Sequence, residues 1–177
     1  LYQAYRDFAR HAALPLTFSA DLLYRLQERF RRDMRGNALH IPWVAVADLM
    51  LSHLCHQVRP EIFRLDPHVQ TVLLAELTED RERFWSEDGR SSRLQEVADF
   101  LIRYAAHQLN HPSHYVREAA RAERLNAQTI SQPELVREQL QKTAVALQPQ
   151  QDPVATLRLA SLVNAFNRSV NLTRSEA

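Results

Sequence analysis

The chain has 177 residues, 45% hydrophobic and 24% charged, with only two glycines and eight prolines. So few glycines argue against phosphate-cradling loops and tight β-turns, and 22 basic against 21 acidic residues give no global pull toward nucleic acid or membrane. A single cysteine, Cys55, excludes an internal disulfide and fits a reducing compartment, and no apolar run approaches the roughly 20 residues of a membrane span.

Tyr2, Tyr5, Ala9 and Ala12 at helical spacing predict a first helix over residues 1–13, ended ahead of Pro15. Ser19 as N-cap and Asp21 in the first turn open a second helix. Its apolar face is Leu22, Leu23, Leu26, Phe30 and Met34, and Gly36-Asn37 is its stop signal. A third helix starts with Pro42 at its first position and carries Ala45, Ala47, Leu49, Met50 and Leu51.

Leu54, His56 and Val58 then alternate with Cys55 and Gln57. Beyond Arg59-Pro60, Phe63 and Leu65 alternate with Ile62 and Arg64. Two such runs predict a β-hairpin over residues 54–65. Asp66-Pro67 caps and starts a fourth helix, with Val69, Val72, Leu73 and Leu77 inward.

Residues 79–91 read as an exposed, charged connection. Ser92 and Gln95 have capping-box spacing ahead of a helix bearing Leu94, Val97, Ala98, Leu101, Ala105 and Leu109, closed by Asn110 and Pro112. Another helix begins near His114. A second capping box, Ser131 with Glu134, is expected to open a helix to about Leu147, and Asp152-Pro153 starts a last one through Val170. No sequence repeats at a fixed period.

The expected fold is mostly α: a winged-helix-like N-terminal half with one short β-hairpin, followed by a helical bundle. The divisions are 1–78, a charged connection at 79–91, and a four-helix subdomain at 92–177. A lone hairpin is marginal in water, so Val58, Phe63 and Leu65 are expected to lean on the helices.

A winged helix reads DNA with a basic helix in the major groove. Here the corresponding stretch, Val44 to Ser52, has one charge, Asp48, and no Arg or Lys. Phosphate neutralisation dominates such affinity, so a protein-contact role is expected and nucleic-acid binding is the alternative. That alternative would use Arg25, Arg29 and Arg32, spaced i, i+4, i+7 along one predicted helix, with Arg31 and Arg35 beside them. The plainer reading of these arginines is a solvated face.

His53, Cys55 and His56 offer soft and imidazole ligands, but no second ligand set follows at zinc-finger spacing. His107, His111 and His114 are interrupted by Pro112 and suit a helix C-terminus. Neither group predicts a metal, and no cofactor is expected. Cys55 lacks a recognisable orienting group for a nucleophile, so no enzyme is expected. Phe63, Trp85 and Tyr115 are the aromatic candidates for a partner contact.

"HAALPLTFSADLLYRL", "IPWVAVADLMLSHLCHQV", "LDPHVQTVLLAEL", "LQEVADFLIRYAAHQL" and "TLRLASLVNAF" occur in this order. Together they resemble an accessory module of large, mainly cyanobacterial, multidomain proteins, across nearly the whole chain. In that family the module adjoins formylglycine-generating-enzyme-like domains of C-type lectin fold, including variable proteins diversified by retroelements. It also adjoins nucleotide-switch, caspase-like or repeat domains of signalling and conflict systems. The resemblance implies a non-catalytic adaptor that contacts other domains, protein partners or itself. The chain departs from it at "VRPEIF", where a glycine is expected after the valine. The start at Leu1 and the lack of a signal peptide lead us to expect one module of a larger cytoplasmic protein.

Overall fold

The computed structural model describes residues 2–138. Seven helices and one hairpin follow in order: α1 (Tyr2–Ala12), α2 (Ala20–Arg29), α3 (Ala45–Leu51), β1 (Cys55–Arg59), β2 (Ile62–Leu65), α4 (Pro67–Glu79), α5 (Arg81–Phe84), α6 (Arg93–Gln108) and α7 (His114–Ser131). The backbone is helical again over residues 133–138. The described residues are thus mostly α with one antiparallel hairpin, as expected. The predicted helices beyond residue 138 lie outside the described residues.

Local chemistry accounts for the starts. The Ser19 hydroxyl accepts from the Leu22 N–H, and Asp66 accepts from the His68 and Val69 N–H groups with Pro67 next in line. Ser92 and Gln95 form the reciprocal capping box that their spacing predicts. The Ser131–Glu134 box does not form. Ser131 is the last residue of α7, and its hydroxyl donates to Asp99 on α6.

Two further boundaries differ from expectation. The third helix begins at Ala45 and not at Pro42. The second stops at Arg29, before the Gly36-Asn37 signal and short of Met34. Asp33, 8% exposed, accepts the backbone N–H of Arg35 and of Asn37 and the Asn37 amide. A short carboxylate that gathers nearby N–H groups offers the chain a turn in place of another helical turn.

The hairpin pairs Cys55 with Leu65, His56 with Arg64, Gln57 with Phe63 and Arg59 with Ile62. The register shifts between Gln57 and Arg59, so Val58 is bulged outward and is 45% exposed rather than leaning on the helices. Leu65 is buried and Phe63 half-buried. Glu61 takes the turn position that requires positive φ, at 63°. Phe18, between α1 and α2, exchanges two backbone hydrogen bonds with Phe63 at 2.9 and 2.8 Å. Helix, one-residue strand, two helices and hairpin is the order of a winged helix.

One hydrophobic cluster runs from Phe8 and Ala12 of α1 through Leu23 and Leu26, Val46, Leu65, Leu77, Phe84 and Leu101 to Ala127 and Ile130 of α7. α4 turns Leu74 inward and leaves Val72 46% exposed, against expectation. The 79–91 stretch is not wholly exposed: Phe84 is fully buried.

α1 also turns charge inward. Asp7, 1% exposed, accepts from Gln3, Arg10 and both terminal nitrogens of Arg83, the last two at 3.0 and 2.6 Å. Arg10 reaches Glu76 and Asp80, and Arg6 also holds Glu76. The Arg6 hydrogen bond leads the contacts that lower the Glu76 carboxyl. His11 is fully buried between Phe30 and Phe84, and neither ring nitrogen has a partner among the described residues.

Candidate functional site

The three aromatic candidates belong to different neighbourhoods and already have intramolecular contacts. Phe63 packs against the core while its backbone holds Phe18. The Trp85 indole N–H donates to the Thr78 carbonyl at 3.0 Å, and the Arg81 guanidinium sits 5.0 Å from its ring centroid. The Arg59 guanidinium lies 4.2 Å from the centroid of Tyr115.

The arginine stripe fails as a single helical face, because α2 ends at Arg29. Arg25 is paired with Asp21 at 2.9 Å. Arg32 lies past the helix and donates to the Gly36 carbonyl at 2.8 Å. Arg31 is bound to Glu28, and Arg35 lies 3.7 Å from Glu82. Arg29 rests over the Phe30 ring.

Among the described residues, no cluster of three or more His, Cys, Asp and Glu side chains is placed to hold a metal. The His111 ring accepts the Ser113 N–H. Burial pushes the Cys55 thiol up to about 11, which leaves little thiolate near neutral pH.

Among the described residues, three exposed large apolar side chains lie on and around α3, the helix a winged helix would place in DNA. Ala45, Val46 and Leu49 face the core. The opposite side carries Trp43, Ala47 and Leu51 at four-residue spacing, with Leu54 beyond. Trp43 is 73% exposed, Leu51 84% and Leu54 40%. A stripe of this size and position marks a contact surface more than a scattered surface leucine would. No cation lies on α3, so this helix offers no side-chain charge to a phosphate.

At its Trp43 end the stripe opens into a groove of about 1180 Å³ between α2, the 38–43 segment and α6. Tyr24, Phe100 and Tyr104 line it, the last two stacked with centroids 6.3 Å apart. Tyr104 donates to Asp21 at 3.1 Å, and burial, ahead of Asp21, raises its phenol. Arg25 and Arg31 in the groove are neutralised by Asp21 and Glu28. Arg29 and Arg103 have no carboxylate partner among the described residues, so the groove presents flat apolar faces with an excess of positive charge.

Sequence reasoning missed this surface because "IPWVAVADLMLSHL" is apolar on every side, and period alone cannot say which side faces out. The available signal was that Trp43, Ala47 and Leu51 repeat at four-residue spacing, out of phase with Ala45, Val46 and Leu49. Comparison of the chain with protein-family models, curated proteins and solved structures finds no match.

Proposed function

We propose that this chain is a non-catalytic protein-interaction module of a larger bacterial, cytoplasmic multidomain protein. It docks an apolar partner segment bearing carboxylates on the α3 stripe and the adjoining groove. The observation that carries this reading is the exposure of Leu51 on α3 and of Trp43 just ahead of it, on the helix that would otherwise read DNA. Trp and Arg anchor protein interfaces out of proportion to their number, and the groove sets Trp43 beside Arg29 and Arg103. The two uncompensated arginines select acidic flanks on the partner. The resemblance to accessory modules of signalling and conflict proteins supports the multidomain setting, and a single half-buried thiol fits the cytoplasm.

A random peptide library displayed on phage and panned on the chain tests this. Enriched peptides are expected to combine bulky apolar residues with Asp or Glu, and Trp43→Ala or Leu51→Asp is expected to weaken them at least tenfold. Both positions are exposed, so the fold should persist by circular dichroism. Absence of enrichment, or peptides indifferent to both substitutions, overturns the proposal. Anisotropy of a labelled DNA duplex at low and moderate salt covers the alternative, which survives only if the loss of Arg25, Arg29 and Arg32 abolishes binding.

A further inference from the structure

A second pocket, of about 320 Å³, lies between residues 17–22, the hairpin tip, α6 and α7. Its lining joins three aromatic rings, Phe18, Tyr104 and Tyr115, to three carboxylates, Asp21, Glu61 and Glu123, and includes no lysine or arginine. Glu123 stands apart from the other two. It is 7% exposed; one oxygen accepts the Leu16 N–H at 2.8 Å, and the other has no partner among the described residues. The Thr17 N–H and the Asn126 side chain lie near enough to favour the ionised carboxyl, but neither completes a hydrogen bond to this oxygen; a buried oxygen left in that state is improved by a donor-bearing ligand.

From this geometry we infer that the pocket binds an organic cation, a primary ammonium on a short apolar stem, with Glu123 as its counter-ion. An ammonium carries three donors and no acceptor, which suits a wall of carboxylate and phenol oxygens. Its stem matches the apolar lining from Leu22, Ala119 and Ala120. Aromatic faces attract cations, and Tyr115 already holds one, the Arg59 guanidinium, on its ring.

Burial, the largest influence, pushes Glu123 up to about 8, so it is mostly protonated at pH 7. A bound cation favours the ionised form, and uptake therefore releases a proton. The other charged and titratable groups at the pocket are Asp21, paired with Arg25, and Glu61, Tyr104, His111 and Tyr115, with the Arg59 guanidinium against the Tyr115 ring. The ammonium has two possible sources, a free alkyl amine and the lysine side chain of a partner.

Calorimetric titration at pH 7 with n-butylamine, 1,4-diaminobutane, an N-acetyl-lysine amide and 1-butanol tests the proposal. At least one amine is expected to bind saturably and ten or more times tighter than the alcohol. Repeating the titration in buffers of different ionisation enthalpy should show release of up to one proton. Preference for the alkyl amines assigns a free metabolite, and preference for the lysine amide assigns a partner side chain. Glu123→Gln should cut affinity tenfold or more. Ala119→Trp, which fills the pocket and leaves Glu123 in place, should abolish binding if Glu123→Gln does not fold. Equal binding of amine and alcohol, or amine binding unchanged in the variant that folds, overturns the inference.

Discussion

Replacing Asp7 by alanine should loosen the whole N-terminal half, because one buried carboxylate holds two arginines from different parts of the chain. Asp7 is 1% exposed, while the side chains of Arg10 and Arg83 are 8% and 29% exposed. Removing one partner of a buried ion pair leaves uncompensated charge in a poor solvent, at a cost of about 3–5 kcal/mol. The lower end applies here, since Arg83 is partly solvated and Arg10 keeps Glu76 and Asp80. A loss of about 3 kcal/mol lowers Tm by roughly 6–12 °C for a chain of this length. Urea unfolding followed by circular dichroism measures the loss directly. A cycle with Arg83→Ala should return a coupling energy of about 1–3 kcal/mol, as expected for contacting charges. A loss below about 1 kcal/mol, or strict additivity of the two substitutions, would refute the claim that α5 is docked on α1 through this contact.

Two other outcomes follow from the same structure. Between about pH 4.5 and 8 the folded chain keeps a proton on Glu123 that the unfolded chain has lost, so this group's stabilisation falls as pH rises, by at most about 1.4 kcal/mol per unit. Burial lowers His11, so below about 6.5 the unfolded chain holds a proton that the folded one lacks, which opposes the first effect. The decline is therefore clearest from pH 6.5 to 8, and urea midpoints across that range should flatten in Glu123→Gln; an unchanged slope counts against the assignment. Glu61→Gly should raise stability by about 1 kcal/mol, or Tm by about 2–4 °C, because φ of 63° costs a side-chain-bearing residue more than glycine; a lower Tm by thermal melting would contradict this.

Residue types that act on their own backbone were legible in the sequence. Ser19, Asp66 and Ser92 each cap the helix that their position predicts, and the Arg59-Pro60 break falls at the hairpin turn. What depended on distant partners was not legible. Asp7, Arg10 and His11 are polar positions of an amphipathic helix, yet all three are buried because the α4–α5 region brings Glu76, Asp80 and the Phe84 ring to them and the end of α2 brings the Phe30 ring. Asp33 ended α2 early through bonds that only the folded loop reveals. Phe63, Trp85 and Tyr115 were singled out for chemistry type alone, and all three have intramolecular contacts. The exposed stripe at Trp43 and Leu51 was hidden inside an unbroken apolar run, and Glu123 gave no signal at all, since its burial is imposed by a segment 107 positions away.

That separation bears on the order in which the molecule assembles. Each helix can start from its own cap within a few residues, whereas the bond from Leu16 to Glu123 closes a span of 107 residues and the grip of Arg83 on Asp7 one of 76. The entropy of closing such spans grows with the logarithm of their length and must be met before the contact returns anything. A nascent chain therefore cannot complete this part of the molecule until α7 has been synthesised, and its refolding should be slower than that of helical bundles whose neighbours in space are also neighbours in sequence.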